Sequence, residues 1–111
     1  MFEFNGNVRN FGLIDNLPEG CCVEVPVVAS QAGLRAMHVG PLPDQLALMN
    51  NISARCEELA VKGCIAGDKK MFYQAIAFDP LTSAVLSLKE IQAMVDEMFE
   101  ANKDYLPQFY K

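Results

Sequence analysis

The feature that most restricts this chain is a change of hydrophobic period near Gly40. Residues 1–40 hold β-branched and aromatic residues among Asn, Gly and Pro, whereas from Pro41 onward the apolar residues recur at three- and four-residue steps. Strands and helices bury different residue spacings, so the two stretches belong to different kinds of element. The sequence predicts an α+β fold: an extended, hairpin-bearing part over 1–40, then about three helices over 41–111. At 111 residues the chain fits a single domain or a fragment, with one modest core.

In the first part, "CVEVPVVA", Cys22 to Ala29, reads as a strand. Pro26 lacks an amide hydrogen and places that strand at a sheet edge or beside a bulge. "SQAG" reads as a turn and Leu34–Val39 as the returning strand. "NGN" and "RNFG" carry turn chemistry, because Asn and Gly tolerate positive φ.

In the second part, Leu46, Met49, Ile52, Cys56, Leu59, Ala60 and Cys64 share one face of a helix that begins near Asp44 and ends at Gly67. Gly63 inside it marks a close-packing point or an early end. Asp68 can cap a second helix, Lys69–Phe78, which Asp79-Pro80 should stop, since a residue before proline is pushed from the α region. Ser87 and Glu90 have the spacing of a capping box ahead of an apolar stripe, Ile91, Met94, Val95, Met98 and Phe99. The aromatic end, "ANKDYLPQFYK", should dock on the body or on a neighbour.

Charge and composition narrow the function classes. Fourteen acidic residues against nine basic give a net charge of -5, which repels nucleic-acid backbones and anionic lipid, so neither is an expected partner. No run of about eighteen apolar residues exists, and "MFEFNGNVRN" has no basic n-region or apolar h-region. A cytoplasmic location is the expectation.

Few residues are arranged for chemistry. Cys21 and Cys22 are adjacent and should face opposite ways on a strand, Cys56 and Cys64 fall on the helical stripe, and no C-x-x-C is present. That spacing predicts buried, reduced thiols, with no metal site and no required disulfide. His38 is the only histidine and has no nucleophile near it in sequence; a surface or turn residue is the simpler reading than a lone acid or base. Neither G-x-S-x-G, G-x-G-x-x-G nor a P-loop occurs. No catalytic or cofactor-binding residue is assigned.

Longer strings carry a resemblance. N-x-G-x-I-x-N-L-P from Asn10 to Pro18, V-E-V-P from Val23 to Pro26, G-P-L-P-x-Q-L-A from Gly40 to Ala47, and D-P-L-T-S-A from Asp79 to Ala84 occur in order. Over residues 5–101 the chain resembles the C-terminal region of glycoside hydrolase family 4, in its α-galactosidase and α-glucosidase branch. The resemblance implies a partial lactate/malate dehydrogenase-like C-terminal domain. It also implies a parent enzyme with a separate N-terminal nucleotide-binding domain, NAD and a divalent metal, usually manganese. Such enzymes oxidise the sugar at C3, eliminate the leaving group and re-reduce, unlike two-carboxylate glycosidases.

The family's nucleotide loop, metal ligands and catalytic acid and base lie upstream of the matching strings, so the chain alone is expected to be inactive. Its implied role is to supply pocket wall, core and subunit contacts to a sugar hydrolase. A stand-alone oligomerisation or interaction module derived from the same fold is the alternative. Asn7 and Asn10 would touch or support the sugar, or else act as Asx-turn residues. Self-association is expected through the ends of the Leu46–Cys64 stripe, "DPLTSAVL", or Tyr105, Phe109 and Tyr110.

Overall fold

A computed structural model describes residues 1–111. Its residue contacts gather into two compact units, Met1–Ala54 and Arg55–Lys111. Three strands, β1 (Phe2–Arg9), β2 (Cys22–Ser30) and β3 (Gly33–Ala36), are followed by four helices, α1 (Asp44–Ala66), α2 (Lys69–Ala77), α3 (Pro80–Val85) and α4 (Leu88–Ala101). Two short 3-10 turns close the chain. The α+β expectation holds, with one more strand and one more helix than the sequence suggested. No helix is long and apolar enough to cross a membrane.

In the first unit the sheet is antiparallel in the order β1-β2-β3. β2 alternates strictly: Val23, Val25 and Val27 are buried while Cys22 and Glu24 face outward. Opposite those valines stand Val8, Gly6 and Phe4 of β1, which continue the same apolar face. β2 is thus the central strand, and the expectation of an edge position for Pro26 needs correcting. The proline is tolerated because of where its backbone points. Its carbonyl accepts from the Met37 amide at 2.9 Å, one residue beyond the end of β3, so the missing N–H costs only the last rung of that ladder.

"NGN" is a second correction, since Asn5, Gly6 and Asn7 lie inside β1 rather than in a turn. Glycine is there for space. A Cβ on Gly6 would come within 3.1 Å of both the Phe4 ring and a Val27 methyl, so the Phe4 ring occupies the room a side chain would need.

In the second unit α2 and α4 bury Ile91, Val95 and Phe99, one residue per turn of α4, against Phe72 and Ile76. Gly63 is a packing point, not an end: a Cβ would meet the Phe72 amide nitrogen at 2.9 Å. The capping box is formed, with the Ser87 amide donating to Glu90 Oε2 at 2.8 Å and the Glu90 amide to Ser87 Oγ at 3.3 Å. Pro80 does end α2, yet it also opens α3 as its first residue. The Asp79 carboxylate accepts from the Thr82 amide at 2.9 Å and hydroxyl at 2.8 Å, capping that short helix. The aromatic end docks on its own unit: Phe109 meets Phe99 edge-on at 4.8 Å, and the Tyr110 hydroxyl donates to the Phe99 carbonyl at 2.9 Å.

Candidate functional site

The site takes shape where β1 ends. Asn10 follows that strand, and its amide nitrogen donates to the Cys21 carbonyl at 2.8 Å, extending the pairing by one residue. Its side chain is buried, with 2% exposure, and turns into the loop that follows. There Nδ2 points at the carbonyls of Ile14, Leu17 and Pro18 at 3.0, 3.2 and 3.2 Å, while Oδ1 accepts from the amides of Leu13 and Ile14 at 3.2 and 2.9 Å. One amide group therefore organises the backbone from Leu13 to Pro18. Asparagine suits the task because it offers two donors and an acceptor from one planar group.

A second clamp joins this loop to the segment before α1. Asn16 Nδ2 donates to the Leu42 carbonyl and Asn16 Oδ1 accepts from the Leu42 amide, each at 2.8 Å. Between the clamps, Ile14 and Gly40 form a parallel bridge, and the Val39 amide donates to the Leu13 carbonyl at 2.8 Å. Ile14 seals the arrangement from below by packing among the β2 valines. Residues 10–18 and 37–42 are thus one double-stranded loop end.

Its outer side carries the polar groups. His38 Nε2 lies 2.8 Å from Asp15 Oδ1, with both side chains more than half exposed or close to it. At the base of the loop the Arg9 guanidinium sits 5.1 Å from the centre of the exposed Phe11 ring, and its Nε reaches the Gly20 carbonyl at 3.5 Å. An aromatic face, a carboxylate and an imidazole are groups suited to a hydroxyl-rich ligand. Nothing in the cluster is a nucleophile beside a base.

Of the residues singled out in the sequence, Asn10 lies at the centre of this loop end, and Asn7 stands on the outer face of β1 opposite Glu24. Asp15 and Asn16, and the pairing of Asp15 with His38 and of Asn16 with Leu42, had no sign of their own in the sequence, because each is joined to a residue more than twenty positions away. The only local sign was the dense punctuation of "GLIDNLP" and "HVGPLP". No three or more His, Cys, Asp or Glu residues gather to hold a metal ion. None of the four cysteines forms a disulfide, and the expectation that they are buried needs correcting: Cys22 is exposed and Cys21, Cys56 and Cys64 are only half-buried. Burial, with Asp79 and Glu57 adding to it, pushes the Cys56 thiol above its ordinary pKa, which disfavours the thiolate a metal or a substrate would need.

The helical unit has a cavity of its own, about 380 Å³, walled by Phe72, Ile76, Met94, Met98, Phe99 and Phe109. Its one amide side chain, Asn102, is spent on the Met98 carbonyl at 2.8 Å. The cavity suits apolar contact and offers no set of groups for a sugar.

Comparisons with known proteins agree with one another. Residues 1–82 match the model of the family 4 glycosyl hydrolase C-terminal domain. An α-galactosidase of Bacillus subtilis (strain 168) is 41% identical over 97% of the chain, and an α-galactosidase of Rhizobium meliloti (strain 1021) is 33% identical over 93%. A 6-phospho-alpha-glucosidase from gut microorganisms, solved with NAD and glucose-6-phosphate, superposes over 96% of the chain with a TM-score of 0.84 at 26% identity. The chain spans 25%, 21% and 23% of the lengths of these three proteins.

Proposed function

Because the chain belongs to the family of family 4 glycosyl hydrolase C-terminal domains, we propose that it works as the C-terminal piece of a longer α-glycosidase of the α-galactosidase kind. In that enzyme the loop end 10–18 and 37–42 walls the sugar site, and other faces make subunit contacts. The observation that carries this reading is the double clamp of Asn10 and Asn16, which holds two exposed loops rigid and leaves Phe11, Asp15 and His38 outward. A wall that must meet a sugar in one orientation benefits from such preorganisation. Asn10 contributes by holding the loop, since its amide is used up by the backbone, while Asn7 keeps an outward amide for direct contact.

NAD and a divalent metal are proposed for the rest of such an enzyme. The residues of this chain do not fit either group: His38 is turned to Asp15, the thiols are not gathered, and no glycine-rich phosphate cradle is present. No chemical step is assigned to residues here.

The test is a chimera in which the matching quarter of the Bacillus subtilis α-galactosidase is replaced by this chain. The chimera should hydrolyse p-nitrophenyl α-galactoside, and Asp15→Ala or His38→Ala should raise KM with little change in kcat. A folded, active chimera whose KM ignores both substitutions and Phe11→Ala overturns the wall assignment.

A further inference from the structure

We propose that the outer edge of β1 pairs with β1 of a second copy of the chain, antiparallel and across a twofold axis at Gly6, to give one six-stranded sheet. β1 is the end strand of the three and is eight residues long. It contains no proline or lysine, and its pairing with β2 runs unbroken from Phe2 to Arg9, so the only devices it carries against edge pairing are the charges of Glu3 and Arg9.

The backbone parity is fixed by two hydrogen bonds. The Asn10 amide points to β2, donating to Cys21, and the Pro26 carbonyl points away from β1, accepting from Met37. Even-numbered residues of β1 therefore turn their backbone polar groups to β2, and Glu3, Asn5 and Asn7 turn theirs to the open edge, as Arg9 does its amide, while the Arg9 carbonyl accepts from the Phe11 amide at 3.0 Å.

The sequence "EFNGNVR" is self-complementary about its centre. Antiparallel pairing of two copies with Gly6 opposite Gly6 sets Glu3 opposite Arg9, Phe4 opposite Val8 and Asn5 opposite Asn7. The residues with outward backbone groups fall in hydrogen-bonded pairs, as the ladder requires: Asn5 with Asn7 in full, and Glu3 with Arg9 through the Arg9 amide, the Arg9 carbonyl being shared with the Phe11 amide. Opposed side chains share a face, so Phe4 and Val8, only half-buried against the β2 valines, extend the apolar face into the neighbour. Glu3, which has no hydrogen bond or ion pair within the chain, meets a guanidinium whose remaining donors are open beyond Phe11 and Gly20. The Phe4 ring over Gly6 covers the glycine at the axis, where a bare backbone would weaken a sheet. Such an interface is isologous, each contact occurring twice.

This inference rests on the subunit-contact half of the function proposed above, and the experiment separates the two. Sedimentation equilibrium over about a hundredfold concentration range should show a dimer of the full chain. Glu3→Arg and Arg9→Glu each place like charges opposite one another twice, and each should weaken the dimer about tenfold or more. The double variant E3R/R9E restores opposite charges and should return to within about threefold of the parent chain. Asn5→Pro removes an outward amide hydrogen without touching the β1–β2 ladder and should give monomer, with far-UV circular dichroism retained. A parent chain that is monomeric at every concentration overturns both this pairing and the subunit-contact reading. A dimer that ignores the single charge changes, or a double variant no tighter than either single, places the contact elsewhere and overturns the β1 pairing alone.

Discussion

Asn16 and Leu42 bind one another in both directions, side-chain amide to main-chain amide, at 2.8 Å each way. A side chain that mimics a backbone partner in this manner ties two loops as a strand rung would. Asn16→Ala removes both bonds at an exposed position, where water can replace them, and should lower stability by about 1 kcal/mol. Asn16→Asp should gain nothing over alanine, because its second oxygen faces the Leu42 carbonyl. Urea denaturation of the two variants checks this.

Asn10 should matter more. Its five backbone partners lie in or beside a buried site, so Asn10→Ala leaves amides and carbonyls of Leu13, Ile14, Leu17 and Pro18 short of a partner without admitting enough water. The expected cost is roughly 2–4 kcal/mol. Asn10→Asp should be as damaging, since it turns an acceptor toward three carbonyls. Proteolysis of the 11–20 loop, measured beside the denaturation midpoint, should accelerate in both.

Acid should loosen the helical unit through four carboxylates. Hydrogen bonds from Lys62 and then Arg55 hold Glu58 below its ordinary pKa, the Thr82 amide and hydroxyl do so for Asp79, Ser87 for Glu90, and Lys69 for Asp96. A carboxyl whose folded pKa lies below its unfolded one contributes stability that is complete above the unfolded value and is lost as pH falls through the folded one. Resistance of the helix content to urea should therefore be independent of pH near neutrality and fall below about pH 4. Asp79→Asn and Glu90→Gln should flatten that acid limb.

Gly67 ends α1 with a φ of +67°, and a Cβ there would collide with the Gln108 carbonyl. Gly67→Ala thus meets both a left-handed backbone and a main-chain obstacle, and should cost about 2 kcal/mol or more. Part of the loss should appear as release of the 3-10 tail, read as a rise in the exposure of Tyr110 to solvent perturbation. Gly12→Ala, with φ +73° but open space around it, should cost only the backbone part, roughly 1 kcal/mol.

The chain by itself, supplied with NAD, manganese and a thiol reductant, should not hydrolyse p-nitrophenyl α-galactoside or α-glucoside. Turnover above a heat-killed control and abolished by EDTA would contradict the division of labour proposed here.

The helices were readable because their signals are local. The Asp68 cap, the Ser87–Glu90 box and the Ile91–Phe99 stripe each lie within a few residues of one another; the two caps are found as read, and of the stripe Ile91, Val95 and Phe99 are buried while Met94 and Met98 are exposed. β1 was missed because "NGN" is turn chemistry when taken alone. What makes Gly6 a strand residue is the Phe4 ring and Val27, the latter twenty-one positions away. Pro26 misled for a related reason, since its fitness for a central strand depends on where β3 stops. The candidate site was half visible: Asn10 stood out by its turn context, but the Asp15–His38 and Asn16–Leu42 partnerships exist only once the loops are brought together.

The position of Phe109 bears on the order in which a ribosome can deliver a finished structure. The sheet, both clamps and the valine core have every partner they need once Leu42 has been made. The aromatic cluster of the helical unit lacks one of its three rings until residue 109 emerges, and the Tyr110 latch follows one residue later. Vectorial synthesis therefore favours a sheet that is complete while the helices are still acquiring their last ring, an N-terminal-first order typical of chains that fold during translation.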